Sequence, residues 1–175
     1  MYVGHVGIAL AGKGVRREAP IWLLVLATQG CDWVQVVSCM AAPPGSSAMW
    51  SHSIPAVLAL ATVLLLGSYG VTRNRQVALL TAAVAVSHVV LDYVTGLKPT
   101  WPGGPLIGLN LYDHPLGDFV VEAAVVCAGW LVYRRSLPRD ARTTRLAWLL
   151  LLALVGMQLL GVLDFVLGPQ LPKCA

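Results

Sequence analysis

His88 and Asp92 stand four residues apart in the apolar run 77–99, VALLTAAVAVSHVVLDYVTGLKP. On a helix that spacing stacks them on one face. Thr81 and Thr95 fall close to the same face. Ionisable side chains inside hydrocarbon are costly and mark functional sites by default. An imidazole nitrogen and a carboxylate oxygen one turn apart also suit a divalent metal. The plain alternative is a buried hydrogen bond between helices.

Other segments carry residues of the same types. Asp32 lies on a polar stripe with Gln29, Gln35 and Cys39, and such a stripe faces protein or water and not lipid. His52 follows Trp50 in the stretch MWSHSIP, and Trp50 is expected as an interfacial anchor. Asp113 and His114 close a proline- and glycine-rich loop, and Asp118 and Glu122 follow one turn apart. Asp118 is expected to cap its helix, whereas Glu122 sits deeper. His5 belongs to the short apolar stretch 2–12. That stretch is expected either as a half-helix entering the membrane or as an interfacial segment. In the first case His5 approaches Asp32. Asp164 has no aligned partner and is expected to be a structural or interfacial acid.

The elements that must position these residues are membrane helices. Of the 175 residues, 57% are hydrophobic and only 11% charged, and the mean hydropathy is +0.73. A soluble domain carries about 25% charged residues. Five apolar segments approach the ~20 residues that cross a bilayer: residues 21–41, 53–70, 77–96, 118–134 and 146–168. The expected fold is all-α, a single integral membrane domain over residues 1–175. It has five transmembrane helices plus a short N-terminal half-helix, with the N-terminus inside and the C-terminus outside. Ten of the twelve Lys and Arg residues then lie on the cytoplasmic side, and only Lys98 and Lys173 lie outside.

The net charge of +4 reflects this topology. The basic residues form no face interleaved with aromatics, so no nucleic-acid partner is expected. The segment 21–41 after Arg16–Arg17 mimics a signal, and Val36-Val37-Ser38-Cys39 resembles a lipoprotein cleavage box. Asp32 interrupts its apolar core, so no processing is expected. Cys31, Cys39, Cys127 and Cys174 form no CxxC pair and are expected as free thiols.

Six of the eight acids fall in the membrane or on its outer side. A rise of about 1.5 Å per residue puts Asp32 and His88 roughly 16 Å above the cytoplasmic helix ends. Glu122 is at roughly 18 Å and Asp92 at roughly 22 Å by the same count. These groups from separate spans thus share one layer.

His5, the Gln29–Trp33 stretch, Trp50-Ser51-His52-Ser53, Ser87-His88 through Asp92, and Asp113-His114-Pro115 followed by Glu122 occur in that order. Together they resemble the predicted membrane-bound metal-dependent hydrolases, small polytopic bacterial inner-membrane proteins. The resemblance covers about three-quarters of the chain, up to the fourth span. Family members often carry Pro-Asp-x-Asp in the first span. Here Cys31 precedes Asp32 and Val34 occupies the second acid position, which leaves the number of metals open.

The resemblance implies a divalent metal, zinc by preference, with ligands among His88, Asp92, Asp32, His52, His5 and Asp113. It implies acid or base roles for Glu122, His114 and His52. The site is expected to open to the outer half of the bilayer, so the expected substrate is a membrane lipid or a lipid-linked ester or phosphate. No Gly-x-Ser-x-Gly elbow or Walker loop points to a serine hydrolase or a nucleotide enzyme. A proton- or metal-ion transporter is the alternative, and a non-catalytic membrane subunit is a third.

Overall fold

The computed structural model describes residues 3–41, 49–142 and 144–167. It is an all-α bundle containing five helices long and apolar enough to cross a membrane. Helix α1 spans Val3–Val15, α2 Ile21–Ala41, α3 Ile54–Thr72, α4 Arg75–Thr95, α5 Pro115–Ser136, α6 Arg139–Arg142 and α7 Arg145–Leu167. The five long helices match the expected spans to within about three residues at each described end. Gly168 and Lys173 lie outside the described residues.

The helix boundaries have local causes. Pro20 precedes α2, where proline's missing N–H costs nothing. Arg73 closes α3 in a left-handed conformation, with φ 53°. The Asn74 side chain then accepts the Gln76 and Val77 amides to open α4, which satisfies two orphan donors of its first turn. Helix α5 starts at Pro115, three residues earlier than expected. Asp118 is therefore a full turn inside the helix and makes no capping bond, contrary to its expected role. It is buried instead, beside a cavity of about 190 Å³ lined also by Glu122 and Gln158.

The stretch expected as a half-helix or an interfacial segment is a buried helix. Helix α1 packs most extensively against α5 and also touches α2, α4 and α7. Its contact with α5 is backbone to backbone. A Cβ built on Gly129 would lie 1.9 Å from the Gly7 carbonyl oxygen, and one on Gly14 would lie 2.8 Å from the Tyr133 nitrogen. Small residues at such crossings let apolar helices gain dispersion contacts where lipid supplies no hydrophobic drive. Ala9, Leu24, Ala27, Ala61, Val77 and Ala85 form the core between α1, α2, α3 and α4. Val3, Leu10, Val126, Trp130 and Leu154 form a second core against α5 and α7.

The proline- and glycine-rich loop after α4 folds over one end of the bundle. Strands β1 (Lys98–Pro99) and β2 (Leu106–Ile107) pair antiparallel, with Lys98 opposite Ile107. The Leu109 amide donates to the Tyr93 carbonyl at 2.8 Å, and the Ile54 amide donates to the Thr100 carbonyl at 3.2 Å. Gly108 has φ 148° and sits directly on the Gly96 carbonyl, where no Cβ fits. Cys39 is disulfide-bonded, and not the free thiol expected. Cys31 and Cys127 are free, and Cys174 lies outside the described residues.

Gly129→Ala is expected to force α1 from α5 and to destabilise the fold by about 2 kcal/mol or more. Gly67→Ala, where a Cβ meets nothing within 4 Å, is expected to be neutral or mildly stabilising. Thermal unfolding in detergent compares the two. Equal melting temperatures would refute close α1–α5 packing as a source of stability.

Candidate metal centre

The period of α4 places Val77, Thr81, Val84, His88, Asp92 and Thr95 on its buried stripe. That stripe faces α2 and α1, so His88 and Asp92 point into the bundle and not into lipid. Helix α2 brings Asp32 from the opposite side. The 3-10 turn Met49–His52 returns the chain across the outer face and drops His52 inward, fully buried. Helix α1 begins at the level of this layer and presents His5.

Five side chains converge. His5 Nε2 lies 3.3 Å from Asp92 Oδ1. His52 Nε2 lies 3.0 Å from Asp32 Oδ1 and 3.3 Å from Asp92 Oδ2. His88 Nε2 lies 3.2 Å from Asp92 Oδ2 and 3.8 Å from Asp32 Oδ1. The His5 and His88 rings stack with centroids 4.0 Å apart. Two sets of three, His5–His88–Asp92 and Asp32–His52–His88, each bring one ligand atom per residue within 4.8 Å of one another and could hold a metal ion.

The tautomer of His88 follows from its partners. Its Nδ1–H donates to the Thr28 carbonyl at 2.7 Å. Nε2 of the neutral ring is then a bare lone pair directed into the cluster. Nε2 is buried and has no aligned hydrogen bond, although Asp92 Oδ2 is only 3.2 Å away. The same 3.2 Å spacing is that of an ion pair when the ring is protonated, and of two ligands of one ion when it is neutral. An imidazole held from behind by a backbone carbonyl is also the usual support of a metal ligand. Ser51 Oγ lies 3.1 Å from His52 Nδ1 and gives that ring a similar backing. Burial holds the His52 imidazole below its ordinary pKa, which favours the neutral ligand form.

Lys98 completes the layer. Strand β1 carries its nearly buried side chain down to 3.7 Å from Asp92 Oδ2. Its role was not expected from the sequence. The available signal was one of the two lysines on the acidic side, six residues past Asp92.

The structure does not bring Asp113 and His114 into this cluster. Both are exposed on the outer loop, where Asp113 accepts a hydrogen bond from Asn110 Nδ2. The turn Leu111–Asp113 and the start of α5 direct them outward. Glu122 is also outside both metal-capable sets. Its Oε2 accepts the Gly4 N–H at 3.0 Å. A carboxylate there meets an orphan amide at the positive end of α1. Glu122 thus anchors the first turn of the helix that carries His5. His5 in turn pairs with Asp92 in the same cluster that holds Asp32, the residue it was expected to approach.

An apolar cleft of about 150 Å³ adjoins the cluster, lined by Cys31, Val34, Trp50, Ser51, Ala56 and Leu60. Asp32, 18% exposed, is the most accessible member of the cluster, whereas Asp92 is 1% exposed. No family model, curated protein or solved structure matches this chain.

Glu122→Leu leaves the Gly4 amide unmet and is expected to cost about 1–3 kcal/mol. Glu122→Gln, which keeps an acceptor oxygen, is expected to cost less. Chemical denaturation of both variants checks this. Unchanged stability in Glu122→Leu would contradict the anchoring role.

Proposed function

We propose that the protein is a metal-dependent hydrolase acting on a lipid or lipid-linked ester or phosphate from a site in the outer half of the bilayer. The observation that carries this is the convergence of three imidazoles and two carboxylates, with His88 Nε2 buried, unaligned and backed by Thr28. Nitrogen and carboxylate donors in this number suit zinc among the divalent ions. His5, His52, His88, Asp32 and Asp92 are the proposed ligands. The resemblance to membrane-bound metal-dependent hydrolases belongs to the same proposal.

A bound zinc ion supplies a water of pKa about 7 and polarises a carbonyl or phosphoryl oxygen. The chain's own groups do the rest. Thr28 fixes the tautomer of His88. His5 and His52 press on Asp92 from two sides and keep water from its oxygens. Asp32 Oδ2 is buried and has no hydrogen-bond partner, which leaves a lone pair to take the proton of an attacking water. The cleft beside Cys31 and Trp50 is apolar and borders the lipid-facing surfaces of α2 and α3, which suits a hydrocarbon chain. Ten basic residues at the other end of the bundle orient the site toward the outer leaflet.

Purified protein is expected to contain stoichiometric divalent metal by elemental analysis. His88→Ala and Asp92→Ala are each expected to remove at least about nine-tenths of it, as loss of one ligand weakens binding by orders of magnitude. Metal retained in both variants would defeat this ligand assignment. Ion flux into liposomes without hydrolysis of any lipid substrate would favour transport instead.

A further inference from the structure

We infer that Lys98 and the metal-loaded cluster form one phosphate-binding site, so that the substrate is a phosphorylated lipid and not a neutral ester. This rests on the metal reading above and names the substrate class of the same site.

Charge balance motivates it. Asp32 and Asp92 contribute two negative charges, and the three imidazoles are neutral as ligands. A divalent ion cancels the carboxylates. The Lys98 ammonium then leaves one positive charge in surroundings shielded from water. An uncompensated charge there is costly. A carboxylic ester would leave it uncompensated, whereas a phosphate oxygen neutralises it. Lys98 Nζ is 3.7 Å from Asp92 Oδ2, longer than the 2.7–2.9 Å of a charge-assisted hydrogen bond. Its protons are therefore not committed to that oxygen.

A cleft opens one residue along β1 from Lys98. This second cleft, about 290 Å³, lies under the β1–β2 turn and is lined by Met49, Trp50, Pro99, Gly103, Gly104 and Leu106. Pro99 is the neighbour of Lys98 in β1. Trp50 lines this cleft and the apolar one beside Cys31. An amphiphile laid across Trp50 would put its head under the turn, its phosphate beside Lys98 and its chain toward lipid. Hydrolysis would join the oxygen of water to phosphorus and break the bond from phosphorus to the lipid oxygen. The departing alcohol and the phosphate would share the protons of that water.

The test uses the full chain in detergent, loaded with zinc, as wild type, Lys98→Gln and Lys98→Arg. Zinc content is measured first, then binding of inorganic phosphate and of phosphatidic acid in mixed micelles by calorimetry. We expect equal zinc in all three proteins. Lys98→Gln is expected to weaken binding of both probes by about tenfold or more, as loss of a charge-assisted contact does. Lys98→Arg is expected to stay within a few-fold of wild type. Phosphatidic acid is expected to bind more tightly than inorganic phosphate. Wild-type phosphate affinity in Lys98→Gln would overturn the inference, as would loss of zinc from that variant, which would make Lys98 a strut of the cluster. Equal affinity for the two probes would overturn the lipid assignment. Zinc bound to wild type with no phosphate affinity would defeat this inference and leave the metal reading standing. Absence of zinc from wild type would defeat both.

Discussion

Asp92 carries its carboxylate where water does not reach, and most of the fold can be understood as the means of meeting it. Removing such a group from water costs several kcal/mol unless partners surround it. His5, His52 and His88 approach its oxygens at 3.2–3.3 Å, and Lys98 approaches at 3.7 Å. These four groups come from α1, the turn before α3, α4 and β1. No two of them other than His88 and Asp92 are sequence neighbours on one helix. The assembly of the bundle and the assembly of the cluster are therefore the same event.

That demand explains the unusual parts of the architecture. A helix that starts in mid-bundle would expose orphan amides to hydrocarbon. Here α1 does so with Glu122 beneath its first turn, and glycine contacts press it against α5. The outer loop is folded back by bonds to Tyr93 and to the start of α3, which carries Lys98 into the layer. The opposite ends of the bundle are tied more simply. Trp130 donates to the Ala147 carbonyl, and Arg134 covers Trp130 and Trp148, joining α5 to α7 far from the cluster.

Much of this was legible in the residues. Apolar length set the five spans, because membrane helices must satisfy their own backbone and show it as uninterrupted hydropathy. Counting rise along those spans aligned Asp32, His88 and Asp92, and the structure joins them. Glu122 shares their depth but not their direction, since depth says nothing of which way a helix face turns. Asp113 and His114 had suitable types and order, yet a loop's path is set by turns that composition does not report. Pro115 did signal the true start of α5, and with it the misplacement of Asp118. Lys98 was visible only as an exception to the charge rule, because its role depends on a two-residue strand. The Cys39 disulfide had no local signature at all.

Two carboxylates and three imidazoles gathered away from water need positive charge nearby, and Lys98 supplies one such charge while the cluster itself could hold a metal ion. X-ray absorption at the zinc edge on the zinc-loaded protein tests this most directly. The account predicts a first shell of nitrogen and oxygen at about 2.0–2.1 Å with the outer-shell scattering of imidazole rings. Zinc–sulfur scattering at about 2.3 Å, or zinc without imidazole scattering, would contradict it.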